Sequence, residues 1–432
     1  MKKSILILGL VLIVTFIVNA QSIEKELESL SKQYNFTYEV LDKGEKYKER
    51  YLLWVTQNLD QANPDGKTFK QRVFISHIDK DRPVVLVTNG YMSMMAPNPL
   101  YSNEIRDILN ANQVVVEHRY FPPSVPDSTV FDWRYLNVQN SAADLHRIHE
   151  ILKNIYKKKW LSTGISKGGQ SSIYYKYFYP DDVTVSVPIV APLNFSTEEK
   201  RVYKFLQNVG SDSCRKKILA FQTDLLKNKK QYFEHFKNAA KFFNLTYERA
   251  GGWEKGYELT VLEYSFAFWQ WGHSCNSIPG EDATVDEKIR SLADVSGLDW
   301  ISDQGIEAMQ PFFYQAMTEI GMYGYDITPF KDYVGFTKNP TFEFTLPPDV
   351  DVTYNPALHQ KIDCFIRHKA NNMIFIVGGN DPWGSTSVQL SMDTNSFKIV
   401  KKGGDHRTRI MNLPAKQKNH VISKIKEWMK ED

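Results

Sequence analysis

Gly164-Ile165-Ser166-Lys167-Gly168 places a serine between glycines two residues to either side. That spacing suits a nucleophile held on a sharp turn from a strand into a helix. Glycines at those positions let neighbouring backbone pass close by without a Cβ in the way. A serine hydroxyl is a poor nucleophile at neutral pH. It needs an imidazole to take its proton and a carboxylate to hold that imidazole in the right tautomer. When the serine sits on such a turn, the partners follow in the order acid, then histidine, each just past a late strand. Asp381 follows the apolar run Met373–Val377, and His406 follows Phe397–Lys401. Ser166, Asp381 and His406 are therefore the expected triad of an acyl-transfer enzyme.

The same chemistry needs two backbone N–H groups aimed at the oxygen that becomes negative. The N–H of Lys167, directly after the nucleophile, is one. The loop Asn89-Gly90-Tyr91, after an early strand, offers that of Tyr91 as the second. An ordinary Asn-Gly turn is the competing reading of that loop. Other histidines fit less well. Asp405 and His406 are adjacent, so they point apart, and His420 lies inside a C-terminal helix. His146 and His149 stand at i and i+3 on a helix, but no third ligand is near in sequence, so packing or solvent contact is the favoured reading. No metal and no cofactor is expected.

The elements that must carry these residues alternate. Pro83–Thr88, Gln113–Val116, Trp160–Ile165 and Val183–Val190 are short Val-rich or apolar runs. Between them Leu136–Tyr156 and Gln170–Tyr179 show helical spacing. Strands alternating with helices predict a mostly parallel sheet with helices on both faces, an α/β-hydrolase fold. The alternation stops between residues 195 and 334. Amphipathic stretches such as Arg215–Phe243 and Thr260–Trp271 predict a large helical lid insertion there, rich in aromatic side chains. The catalytic domain is then 21–194 with 335–432. It closes with a helix over Lys416–Lys430.

Net charge is only +3, and no Lys/Arg tract carries interleaved aromatics, which argues against nucleic acid as a partner. Lys2 and Lys3, the apolar run Ile5–Val18 and then Asn19-Ala20 follow the order of a secretory signal peptide, residues 1–20. The run is short for a membrane span. An exported chain, periplasmic or extracellular and not membrane-spanning once processed, is expected. Of the three cysteines, Cys214 and Cys275 fall in one region and are the favoured disulfide pair; a free buried thiol is the alternative.

Gly164–Gly169 and Gly378-Gly379-Asn380-Asp381-Pro382-Trp383 resemble motifs of the secreted tripeptidyl aminopeptidase (PS-10-type) family of serine peptidases. So do Glu117-His118-Arg119-Tyr120-Phe121, Gln57 with Leu59-Asp60, Thr68-Phe69 with Gln71-Arg72, and Asp132–Leu136 with Gln139 and Asp144. That family is related to the lysosomal Pro-Xaa carboxypeptidase and dipeptidyl peptidase II group, whose members usually have Tyr after the serine; Lys167 stands there here. The resemblance implies release of short peptides, typically tripeptides, from free N-termini, with tolerance or preference for Pro. In that family's loop an acidic residue precedes the Gly, whereas Asn89 stands here. An enzyme of this kind must hold a charged α-amino group, and a partly desolvated carboxylate would do so. Glu117 and Glu263 are the two candidates, with an ion pair to an arginine the competing reading for Glu117 and solvent exposure for Glu263. Carboxylic ester hydrolysis by the same triad, or Pro-specific dipeptidyl or carboxypeptidase action, are the alternative activities.

Overall fold

The computed structural model describes residues 22–431; the expected signal peptide, 1–20, lies outside them. Nine strands form one sheet: β1 (Phe36–Val40), β2 (Glu49–Asn58), β3 (Thr68–His77), β4 (Val84–Thr88), β5 (Asn112–Val116), β6 (Trp160–Ile165), β7 (Val185–Ile189), β8 (Ile374–Gly378) and β9 (Phe397–Lys401). Their order is β1-β2-β3-β5-β4-β6-β7-β8-β9. The first three strands and β5 pair antiparallel, and everything from β5 through β4 to β9 pairs parallel.

The sequence explains this split. In β2 exposure alternates towards its end, as a sheet with one wet face requires. All five residues of β4, β5, β7 and β8 are buried, as strands covered on both faces must be. Val84 and Leu86 of β4 point into the layer under the helix Val138–Leu152, where Leu145, Ile148 and Ile151 meet them. Val85 and Val87 point the other way, towards Val421 and Ile425 of the C-terminal helix Ala415–Trp428. Each fully buried Val or Leu on such a strand contributes about 2 kcal/mol.

Strand order reverses at β4, which has β5 on one side and β6 on the other. In open parallel sheets a crevice opens beyond the carboxyl ends of the strands at such a switch. The loop Asn89–Tyr91 leaves β4 there, and Ser166 leaves β6 beside it.

After β7 the chain leaves the sheet and returns only at β8. Among the described residues no strand lies between them. The stretch Arg215–Phe243, read from sequence as one helix, is two, Asp212–Lys227 and Lys229–Phe242, broken at Asn228. The helix predicted over Thr260–Trp271 begins earlier and spans Trp253–Gln270. Aromatic side chains join this segment to the sheet: Phe266 stacks on Tyr323 at 3.7 Å and meets Trp383 edge-on at 5.2 Å. Cys214 and Cys275 form a disulfide.

Candidate active site

Ser166 occupies the turn between β6 and the helix Lys167–Phe178, with φ 58° and ψ −125°. A non-glycine residue holds such a conformation only where its surroundings enforce it. Its N–H donates to Ile189 O at 2.9 Å. A Cβ on Gly164 would lie 2.1 Å from Gly168 O, so the glycine before the serine is a steric requirement of the turn. A Cβ on Gly90 would lie 2.6 Å from Gly168 N, so the Asn89–Tyr91 loop lies directly against the start of that helix. Lys167 locks the two together, its Nζ donating to Gly90 O at 2.9 Å. Burial pushes that amine well below the usual lysine range. Lys167 and Tyr91, the expected oxyanion donors, line one cavity with Ser166. Burial raises the Tyr91 hydroxyl, and Ser166 beside it offsets part of the shift.

Asp381 follows β8 and is fully buried. Its Oδ1 accepts from Trp383 N at 3.1 Å, which fixes the turn Pro382–Thr386. Its Oδ2 accepts from His406 Nδ1 at 2.7 Å. That bond places the ring proton on Nδ1 and leaves Nε2 free to accept one. The His406 ring meets Trp271 edge-on at 5.8 Å. Its backbone N–H donates to Gln270 O at 3.0 Å, and Arg407 donates to Trp271 O. The end of helix Trp253–Gln270 therefore holds the histidine loop.

Ser166 and His406 line a cavity of about 750 Å³ whose lining also includes Glu263, Trp300, Phe312 and Tyr323. Glu263 is 4% exposed. Its Oε2 accepts from the hydroxyls of Tyr323 at 2.9 Å and Tyr325 at 2.7 Å. Among the described residues no cation pairs with it. Burial raises its pKa to about 8, against the lowering effect of the two tyrosines. A cation beside such a carboxyl would lower its pKa and let it ionise.

The model of the PS-10 peptidase S37 family matches residues 39–431 of the sequence. A prolyl tri/tetrapeptidyl aminopeptidase of Streptomyces mobaraensis is 34% identical over 389 residues, 88% of this chain and 80% of that protein. The chain belongs to the peptidase S37 family. It is a serine peptidase of the α/β-hydrolase fold. A prolyl carboxypeptidase-like protein 5 of Caenorhabditis elegans is 22% identical over 89% of this chain and 90% of that one. The acetyl esterase MekB aligns with a TM-score of 0.41 and 12% identity, over 92% of this chain and 98% of that structure.

Glu117 is placed elsewhere in this S37 peptidase, which corrects the expectation that it could receive a substrate amine. It is fully buried and does not line the cavity. Arg72 grips both its oxygens, at 2.5 and 3.1 Å, and Ser93 N and Ser124 Oγ donate to it as well. Its acceptors are occupied, so a further cation would have to break a buried pair. Arg119 pairs instead with Asp144, through two bonds of 2.7 Å. Gln57 donates to Gln71, Gln71 to Glu117 O, and Gln61 to Asp144. Glu117, Arg72, Arg119, Asp144 and the three glutamines thus form a connected polar network. Sequence reasoning missed Tyr323 and Tyr325, which hold Glu263, and the Gln270 carbonyl. Their only signal was that tyrosines crowd the stretch before residue 326.

Proposed function

We propose that this chain is an exported aminopeptidase that releases short peptides, tripeptides above all and with Pro accepted, from free N-termini. Ser166 attacks the scissile carbonyl, and His406 Nε2 takes its proton and later gives it to the leaving amine. Asp381 holds the imidazolium. The N–H groups of Lys167 and Tyr91 receive the oxyanion. Glu263 binds the substrate's α-ammonium, and the helical segment 195–334 forms the lid that limits how much chain can enter. The observation that carries the reading is a buried carboxyl without a cation, facing the cavity into which Ser166 and His406 open. A buried carboxyl that keeps its proton until a cation comes to sit beside it favours a ligand that ends in a positive group. The Cys214–Cys275 disulfide supports export, because such bonds persist in oxidising compartments.

The test uses three substrates on purified enzyme: a free-amine tripeptidyl anilide, its N-blocked form, and a simple acyl ester. Turnover of the free-amine compound alone is expected. Equal turnover of the blocked compound overturns the aminopeptidase assignment, and ester-only turnover replaces it with an esterase. Amino-terminal sequencing of a released peptide ladder reads how many residues leave at each cut. Product leaving one residue at a time would overturn tripeptide release.

A further inference from the structure

Away from this cavity, at the opposite end of the helix Lys167–Phe178 from Ser166, lies a second cluster with ligand chemistry. His146 and His149 project from one face of the helix Val138–Leu152, as i, i+3 spacing requires. The third group that the sequence did not place beside them arrives through the fold. Asp182 follows the helix Lys167–Phe178 and reaches both imidazoles. One ligand atom from each of His146, His149, Glu150 and Asp182 lies within 4.8 Å of all the others. We propose that His146, His149 and Asp182, with Glu150 beside them, form a binding site for a divalent transition-metal cation, zinc being the ion these donors fit.

The distances argue for an ion rather than a closed hydrogen-bond network. His149 Nδ1 lies 3.5 Å from Asp182 Oδ1 and 3.7 Å from Glu150 Oε1. Both are too long for hydrogen bonds. Two ligands bound to one tetrahedral zinc at about 2.0–2.2 Å stand roughly 3.3 Å apart, so only a small adjustment is needed. His149 Nδ1 is buried and has no hydrogen-bond partner in the protein, a polar atom left unsatisfied if nothing fills the space beside it. His146 Nδ1 bonds Asp182 Oδ2 at 2.7 Å. Metal entry exchanges that bond for two metal bonds, and the imidazole proton moves from Nδ1 to Nε2.

The surroundings fix the ligands, as the outer shell of a metal site does. Tyr175 donates to Asp182 Oδ2 at 2.7 Å. The His146 ring stacks on Tyr179 at 4.0 Å and 5°, and His149 stands edge-on to Trp160 at 4.9 Å. His146 and Glu150 border a surface groove that supplies an entry path. Glu150 also pairs with Lys153, so it is the weakest ligand of the set. The ion would staple two helices of the sheet's cover, with no part in the peptidase reaction.

The experiment takes untagged full-length enzyme, strips it with chelator, and titrates it with zinc chloride. Calorimetry and elemental analysis read stoichiometry, and a thermal melt reads stability. One zinc per chain and a raised Tm are expected. His149→Ala should bind zinc at least about tenfold more weakly and lose the rise in Tm, with peptide hydrolysis unchanged. His368→Ala breaks an exposed His–Asp pair, His368 with Asp393, that lacks a second imidazole, and should leave binding intact. If His149→Ala does not fold, His146→Gln is read in its place. Absent zinc uptake by the unmodified enzyme, or uptake by the His149 and His146 variants equal to that of the unmodified enzyme, overturns the site.

Discussion

A side chain's surroundings decide what it can do, and Ser166 and Glu263 are the two whose surroundings carry the reading. Ser166→Ala removes one oxygen and leaves the Asp381–His406 bond in place. Turnover of any acyl substrate should fall about 10³-fold or more, with Tm little changed. Steady-state kinetics beside a melt separates this from misfolding. Glu263→Gln keeps an oxygen that Tyr323 or Tyr325 can donate to and removes the charge. For a free-amine tripeptidyl anilide, kcat/KM should fall about 10²-fold, equivalent to ~3 kcal/mol for a buried charge contact. The N-blocked analogue should respond little. An equal loss on both substrates would place Glu263 outside amine binding. The contrast with Glu117 shows what the sequence can and cannot tell at this scale. Ser166, Asp381 and His406 are legible because each follows a strand and their order along the chain is constrained. Which glutamate faces the cavity depends on partners far away in sequence, Arg72 for one and Tyr323 with Tyr325 for the other. No local pattern encodes those partners.

At the scale of elements, the helix Trp253–Gln270 does two things at once. Its middle presents Glu263 to the cavity, and its last carbonyl holds the backbone of His406. The disulfide from Cys214 to Cys275 anchors the segment just beyond that end. Replacing both cysteines by serine should cost about 2–4 kcal/mol of stability. It should also lower kcat more than it raises KM, because the loop carrying His406, the proposed general base, loses its outer support. Denaturant melts and Michaelis–Menten curves on the double variant check both parts. Lost stability with unchanged kcat would mean that β9 alone positions His406. The strands β4 to β9 were readable to within a residue or two, because each is a short apolar run bounded by turn residues; β1 and β2 were given no bounds. The helices were harder. The start of Trp253–Gln270 is hidden by a polar first turn and Gly256, and the break at Asn228 falls inside an unbroken amphipathic pattern.

Over the whole molecule, buried groups that refuse their usual charge set how stability follows pH. His359 is buried, with Nδ1 against Asn194 O and Nε2 against the Tyr174 hydroxyl, and burial lowers its pKa to about 4. Between about pH 4 and 6.5 the unfolded chain binds a proton there that the folded one does not, so stability rises with pH across that window. Glu263 and Glu319 act in the opposite direction. Burial raises their pKa values to about 8 and about 7. Above roughly pH 4.5 the unfolded chain loses those protons while the folded one keeps them, so stability falls as pH rises to those values. From about pH 4.5 one rising contribution meets two falling ones, so the three together already decline to about pH 6.5. Beyond it the carboxyls alone steepen the decline, Glu319 until about pH 7 and Glu263 until about pH 8. Glu263→Gln removes one of them. Relative to the variant, the wild type should lose about 1.4 kcal/mol per pH unit between roughly pH 5 and 7.5. Urea melts of both proteins at pH 4, 6.5 and 8 should then coincide at the first and diverge most at the last, with the variant more stable. Equal melts at pH 8 would show that the folded chain already carries an ionised Glu263. A free-amine tripeptide added to Ser166→Ala brings the missing cation. It should raise Tm more at pH 8 than the N-blocked peptide does, because it lets the carboxyl ionise within the fold.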